Sequence, residues 1–164
     1  MNEALCKKQV ECYKQYIQLL EVAREVAKEV EGKTYTKRVL TKLENKIKEI
    51  GLPFHIYQDG YFDRVEGGKV SIRAFCIDRA VEGGYLTDYD FNFFIVFSTN
   101  RVIDSERTVD LLNSHIESRK STINNYESNM EQYEELKREK QEIQKLIEQH
   151  NSKVHYLFQE LKIK

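Results

Sequence analysis

Between Asp104 and the C-terminus, the apolar residues Val109, Leu112, Ile116, Ile123, Tyr126, Met130, Tyr133, Leu136, Ile143, Ile147, Val154, Leu157 and Leu161 recur at helical spacing. Unbroken, such a helix would be about 80 Å long at ~1.5 Å per residue, more than one compact domain of this size can cover. The segment therefore breaks, protrudes or pairs with another chain. The expected break points are "KSTINN" (120–125) and "QHNSK" (149–153), whose Ser, Thr and Asn side chains compete for backbone hydrogen bonds. A strict heptad column runs through Tyr126, Tyr133, Lys140, Ile147, Val154 and Leu161, but its companion slips from Ile116, Ile123 and Met130 to Leu136, Ile143 and Leu157. That slip argues against a long parallel coiled coil. It suits a helical hairpin or antiparallel pair, packed on the first helix of the same chain or of a partner, with the charged "KREKQEIQK" (137–145) solvated or protruding.

The remaining sequence supplies a body for this helix. At 164 residues, with 40% apolar content, the chain predicts one domain with one ordinary core. From Glu3 to Glu31, Cys6, Val10, Tyr13, Ile17, Leu20, Ala23, Ala27 and Val30 lay one apolar stripe along a first helix. Gly32 suits its end, and Thr34 or Thr36 suits the start of a second helix. The second stripe is Leu40, Leu43, Ile47 and Ile50, stopping at Gly51 just before Pro53. The pattern then changes period: "PFHIYQD", "YFDRV", "KVSIRAFCI" and "DFNFFIVF" are short, aromatic and β-branched runs that read as strands. The first of two "EGG" triplets, Glu66 to Gly68, sits between strand-like runs as a hairpin turn. The second spans Glu82 to Gly84, and neither has the strand, helix and sequence context of a phosphate-cradling loop.

The expected fold is thus α+β: a helical pair (1–51), a small, mostly antiparallel sheet of three to four strands (52–99), and a long, coiled-coil-like helical region or hairpin (104–164). In "DFNFFIVF", Phe91, Phe93, Ile95 and Phe97 fall on one side of a strand and Asn92, Phe94, Val96 and Ser98 on the other. Two largely apolar faces predict a central core strand. The alternative, an aromatic platform for RNA bases, lacks its leading cation and glycine, because Tyr89 and Asp90 occupy those places.

Chemistry is sparse. A divalent-metal nuclease reading, with Asp78 as first acid, fails for want of a lysine at the required step after Asp88 and Asp90. Among His55, His115, His150 and His155, the last two are five apart and share no helical face as metal ligands do. Cys6, Cys12 and Cys76 suggest neither a disulfide framework nor a zinc site. No cofactor, metal or catalytic residue is expected. With Lys+Arg 26 against Asp+Glu 27, the net charge of −1 gives no long-range pull on nucleic acid. A local basic patch from Arg64, Arg73, Arg101, Arg119 and Lys120 would be needed, and that is the alternative function.

The leading expectation is a non-enzymatic protein-binding module, a homo-oligomer or a dock for another protein. Its interface would be Tyr126, Met130, Tyr133, Ile143, Ile147, Val154, Leu157 and Leu161. Without an apolar run of membrane-spanning length or a signal-peptide pattern, the chain reads as cytoplasmic. Its Lys, Glu, Ile, Asn and Tyr bias is that of AT-rich bacterial or phage genomes, where small inhibitors and adaptors are common.

Overall fold

A computed structural model describes residues 3–56, 65–76 and 91–162. It has the element order α1 (Glu3–Glu29), α2 (Lys37–Glu49), β1 (Phe54–Ile56), β2 (Val65–Glu66), β3 (Lys69–Cys76), β4 (Asn92–Val96) and α3 (Ser105–Lys162). The α+β class and the antiparallel sheet agree with the sequence reading.

Each helix ends where local chemistry stops it. Beyond Ile50, Gly51 adopts a positive φ of 69°. Its N–H donates to the Lys48 carbonyl and that of Leu52 to the Ile47 carbonyl, closing α2 with the paired bonds of a Schellman motif. Ile50, expected on the buried stripe, is instead the exposed cap residue. At the start of α3, the Asp104 carboxylate accepts from the Arg107 N–H at 3.1 Å, so Asp104 caps the helix. Thr36 occupies the N-cap of α2 in extended backbone, without a side-chain cap bond.

All three other strands pair with β3, each of them antiparallel. The hub of the sheet is therefore β3, not the phenylalanine-rich β4 that two apolar faces had suggested. Gly67 and Gly68, with φ of 57° and 74°, make the two-residue β2–β3 turn expected of the first "EGG". Phe91, Phe93, Ile95 and Phe97 are all buried, as a core face requires, while on the other side Val96 is buried and Phe94 only half-buried. β4 reads as core because helices cover it. The Val96 N–H donates to the Thr108 hydroxyl at 3.0 Å and its carbonyl accepts from the Asp104 N–H at 2.9 Å, so the start of α3 takes up backbone groups that a bare edge would expose.

The core lies between this sheet and the helices. Tyr16, Leu19 and Leu20 from α1, Leu43 and Ile47 from α2, and Leu112 and Ile116 from α3 converge on Phe54, Phe91 and Phe93. The Tyr16 hydroxyl, carried into the core by its ring, donates to the Asn92 carbonyl at 2.6 Å. A second, smaller cluster, Val10, Tyr13 and Ile123, continues the α1–α3 contact toward the N-terminus of α1. Glu44 is the buried carboxylate of the body. One oxygen accepts from the Ile56 N–H at 2.8 Å and the other lies 2.6 Å from His55 Nδ1, fastening α2 to β1. Burial alone would raise its pKa, but these bonds and nearby Lys48 outweigh it and hold the carboxyl below its ordinary value.

The long segment does not break. α3 is one helix of 58 residues, about 87 Å at ~1.5 Å per residue, and no hairpin forms. The side chains expected to interrupt it bond within it instead: the Thr122 hydroxyl donates to the Ser118 carbonyl at 3.0 Å and Ser152 to the Glu148 carbonyl at 2.8 Å. Such back-bonding to i−4 satisfies the hydroxyl without opening the helix.

Candidate interface on the C-terminal helix

The two ends of α3 have different surroundings. Its buried residues are Ser105, Thr108, Leu112, Ile116 and Ile123, all in the first third. There α3 runs beside α1: Arg24 donates to the Asn113 side chain at 2.9 Å, Lys14 pairs with Glu127 at 2.9 Å, and the Tyr13 and Tyr126 rings stack at 6.3 Å. Arg119 lies over the rings of Tyr13 and Tyr16, 5.4 and 5.8 Å from their centroids. His115, edge-on to Tyr16 at 5.8 Å, has its pKa lowered first by burial and then by the Arg119 charge, so it is neutral at pH 7.

From Glu131 onward no residue of α3 is buried. Glu131, Glu134, Glu135 and Arg138 still line a shallow groove with Lys7 of α1, and the 24 residues after Arg138, about 36 Å at ~1.5 Å each, project beyond the body. Past Met130 the large apolar side chains stand in solvent: Leu136 is 63% exposed, Ile143 57%, Ile147 48%, Leu157 57% and Leu161 70%. Isolated exposed apolar residues are ordinary, but a continuous stripe of them marks a contact surface.

Of the expected interface, the structure therefore separates two groups. Tyr126 and Met130 are half-buried against the Val10, Tyr13 and Ile123 cluster and belong to the body. Tyr133, Ile143, Ile147, Leu157 and Leu161 are exposed past Met130, and Val154 there is partly covered. Leu136, Leu146 and Phe158 belong with them and escaped the original set. Leu136 was visible on the stripe; Leu146 and Phe158 flank it, and only the absence of a covering neighbour reveals them.

The slip in the heptad column acquires a location. As far as Met130 the companion residues lie four beyond the constant column, and from Tyr133 they lie three beyond it. Positions three and four along sit on opposite sides of a helical residue, so the stripe rolls around the axis by about 50° at 3.6 residues per turn. That change falls between Met130, packed on the Val10, Tyr13 and Ile123 cluster, and Tyr133, which is exposed. Past it, Tyr133, Leu136, Lys140, Ile143, Ile147, His150, Val154, Leu157 and Leu161 alternate three and four apart without exception. The spacing is an uninterrupted heptad pattern, apolar except at Lys140 and His150.

The alternative basic patch is less coherent. Arg73 lies on β3, Arg101 follows β4 with a φ of 62°, and Arg119 is stacked on tyrosines. Lys120 is paired with Glu117 at 2.8 Å. Arg64 and Arg79, together with Asp78, Asp88, Asp90 and the second "EGG", lie outside the described residues. Among the described residues, no group of three His, Cys, Asp or Glu side chains is placed to hold a metal ion, and no helix is long and apolar enough to cross a membrane. No family model matches the chain, and neither a curated protein nor a solved structure shows significant similarity to it.

Proposed function

We propose that the protein is a non-enzymatic self-association module, in which the α/β body carries a projecting helix whose Tyr133–Leu161 seam forms a coiled coil. One observation carries this reading: the apolar stripe changes from the phase that packs on α1 to a strict three-four heptad between Met130, packed on the Val10, Tyr13 and Ile123 cluster, and the exposed Tyr133. A helix that merely overran its domain would have no reason to keep a seam for four heptads. The large aliphatic side chains supply the driving force, because Leu136, Ile143, Ile147, Leu157 and Leu161 are each about half exposed or more in the single chain and a coiled-coil partner would dehydrate them. Docking on a different protein would use the same stripe, but the heptad is complementary to itself and requires nothing further.

Sedimentation of the full chain tests this. The expected result is a species near twice the 19.5 kDa chain mass, dissociating on dilution. Leu136→Glu with Ile147→Glu should leave a folded monomer, since Leu136 is 63% and Ile147 48% exposed and neither is part of the core. A wild-type chain that stays monomeric at hundreds of micromolar would overturn the reading.

A further inference from the structure

Resting on that reading, we propose that the seam is covered by a second copy of the chain running antiparallel, with its two-fold axis beside residue 145. Two polar residues in an otherwise apolar seam select this arrangement. In the antiparallel pair centred there, Lys140 of one copy lies opposite His150 of the other, Ile143 opposite Ile147, and Leu136 opposite Val154. Polar residues meet polar ones and apolar residues meet apolar ones in these layers. Sliding the register by one heptad in either direction sets Lys140 against Leu157 or Ile143. A parallel pair sets Lys140 against its own copy, two ammonium groups in one layer.

The flanking positions select the same alignment. In an antiparallel coiled coil, the residues just before the first seam position of each heptad face one another across the pair. Centred at residue 145, Glu139 faces Lys153 of the second copy, twice by symmetry, and Leu146 faces Leu146 on the axis. That assigns a partner to Leu146, which is 63% exposed and unused by a seam of strict heptad positions. In parallel, Glu139 would face Gln144, Leu146 would face Asn151, and Lys153 would face Phe158. Glu139 and Gln144 are both polar but form no opposite-charge pair, and the other two pairs set an apolar side chain against a polar one. The consequence is architectural: antiparallel pairing places the two α/β bodies at opposite ends of one rod, a bivalent assembly, whereas parallel pairing would set them side by side.

A spin label at the exposed position Gln159, introduced through a non-canonical amino acid so that the three cysteines stay untouched, reads the orientation in the full-length dimer. The antiparallel pair predicts a label separation of about 45 Å, from ~1.5 Å of rise per residue and helices ~10 Å apart. A separation below about 25 Å, the parallel value with helices ~10 Å apart, would overturn the orientation and leave self-association standing. A monomeric sample without dipolar coupling would overturn both. The register has its own test. Glu139→Lys and Lys153→Glu should each weaken the dimer by about tenfold in Kd, and the double exchange should restore it. A double variant no tighter than either single one would refute the register.

Discussion

The two parts of α3, Ser105–Met130 and Glu131–Lys162, share a helical composition and one unbroken backbone, yet only the first contains buried residues. The first is held at both levels: Asp104 caps it, Thr108 bonds to β4, and Leu112, Ile116 and Ile123 are buried. The second has surface pairs only, such as Lys137 with Glu134 at 3.4 Å and Gln144 with Glu148 at 3.1 Å. Pairs of this kind contribute about 0.2–0.5 kcal/mol each to a helix and specify no neighbour. Helix propensity is thus common to both parts, and what separates them is the phase of the apolar stripe against α1. Helicity and docking are separate pieces of information in a sequence, and a one-residue change of phase is enough to divorce them.

Matched truncations test that separation most severely. Leu112→Ala, at a site 1% exposed, should destabilise the body by about 2–5 kcal/mol in chemical denaturation, the usual cost of a core cavity. Ile143→Ala, a truncation of similar size on the projecting part, should change body unfolding by less than about 0.5 kcal/mol at a concentration low enough to keep the chain monomeric. Comparable losses at the two sites would erase the distinction between the parts.

The next effect is electrostatic and confined to the body. Glu44→Gln should cost about 1–3 kcal/mol at pH 7, because it removes the charged acceptor for the Ile56 N–H and His55. The sign of its pH dependence follows from the lowered carboxyl: the stabilisation is whole above the ordinary 4.5 and is lost as pH falls through the lower folded value. Denaturation at pH 7 and pH 3 should therefore show a smaller gap between variant and wild type in acid. Glu29 behaves alike but over a lower window, since its hydrogen bonds to Lys42 and then Lys46 take it to about 2. A Glu44→Gln deficit that persists undiminished at pH 3 would mean that shape rather than charge holds α2 to β1.

Much of the body was legible because its signals are local. Gly51 and Pro53 mark the end of α2, Asp104 offers a cap, the glycines of the first "EGG" form a two-residue turn, and spacing places most of the α1 and α2 stripes, although it included the exposed Ile50 and left out the buried Tyr16, Leu19, Val26 and Val39. The misreadings share one cause, that partners in space are not written in spacing. "DFNFFIVF" has two apolar faces whether neighbouring strands or helices cover them, so the hub role of β3 was hidden. Ser and Thr near 121 and 152 weaken a helix only if their hydroxyls seek backbone outside it, and here Thr122 and Ser152 bond inward. The heptad slip was plain in the sequence, yet it counted against a coiled coil until the loss of burial along α3 past Met130 gave it a position. Leu146 and Phe158, off the main stripe, could be found only by their exposure.

Smaller effects sharpen the boundary. Asp104→Ala should cost about 1 kcal/mol through loss of the cap on the Arg107 N–H, and should do so equally in the full chain and in one shortened after Glu131. That shortened chain is itself the finest probe. It retains all the buried residues of α3 and the Tyr13–Tyr126 stack, so its unfolding free energy should match that of the monomeric full chain within about 0.5 kcal/mol. Its stability should also be independent of protein concentration, whereas the full chain gains stability as concentration rises and copies pair. Loss of several kcal/mol on shortening would show that residues 132–162 bear on the body in solution and that the projecting helix is part of its own fold. A match, with the concentration dependence gone, would assign that dependence wholly to the part of α3 that the body leaves uncovered.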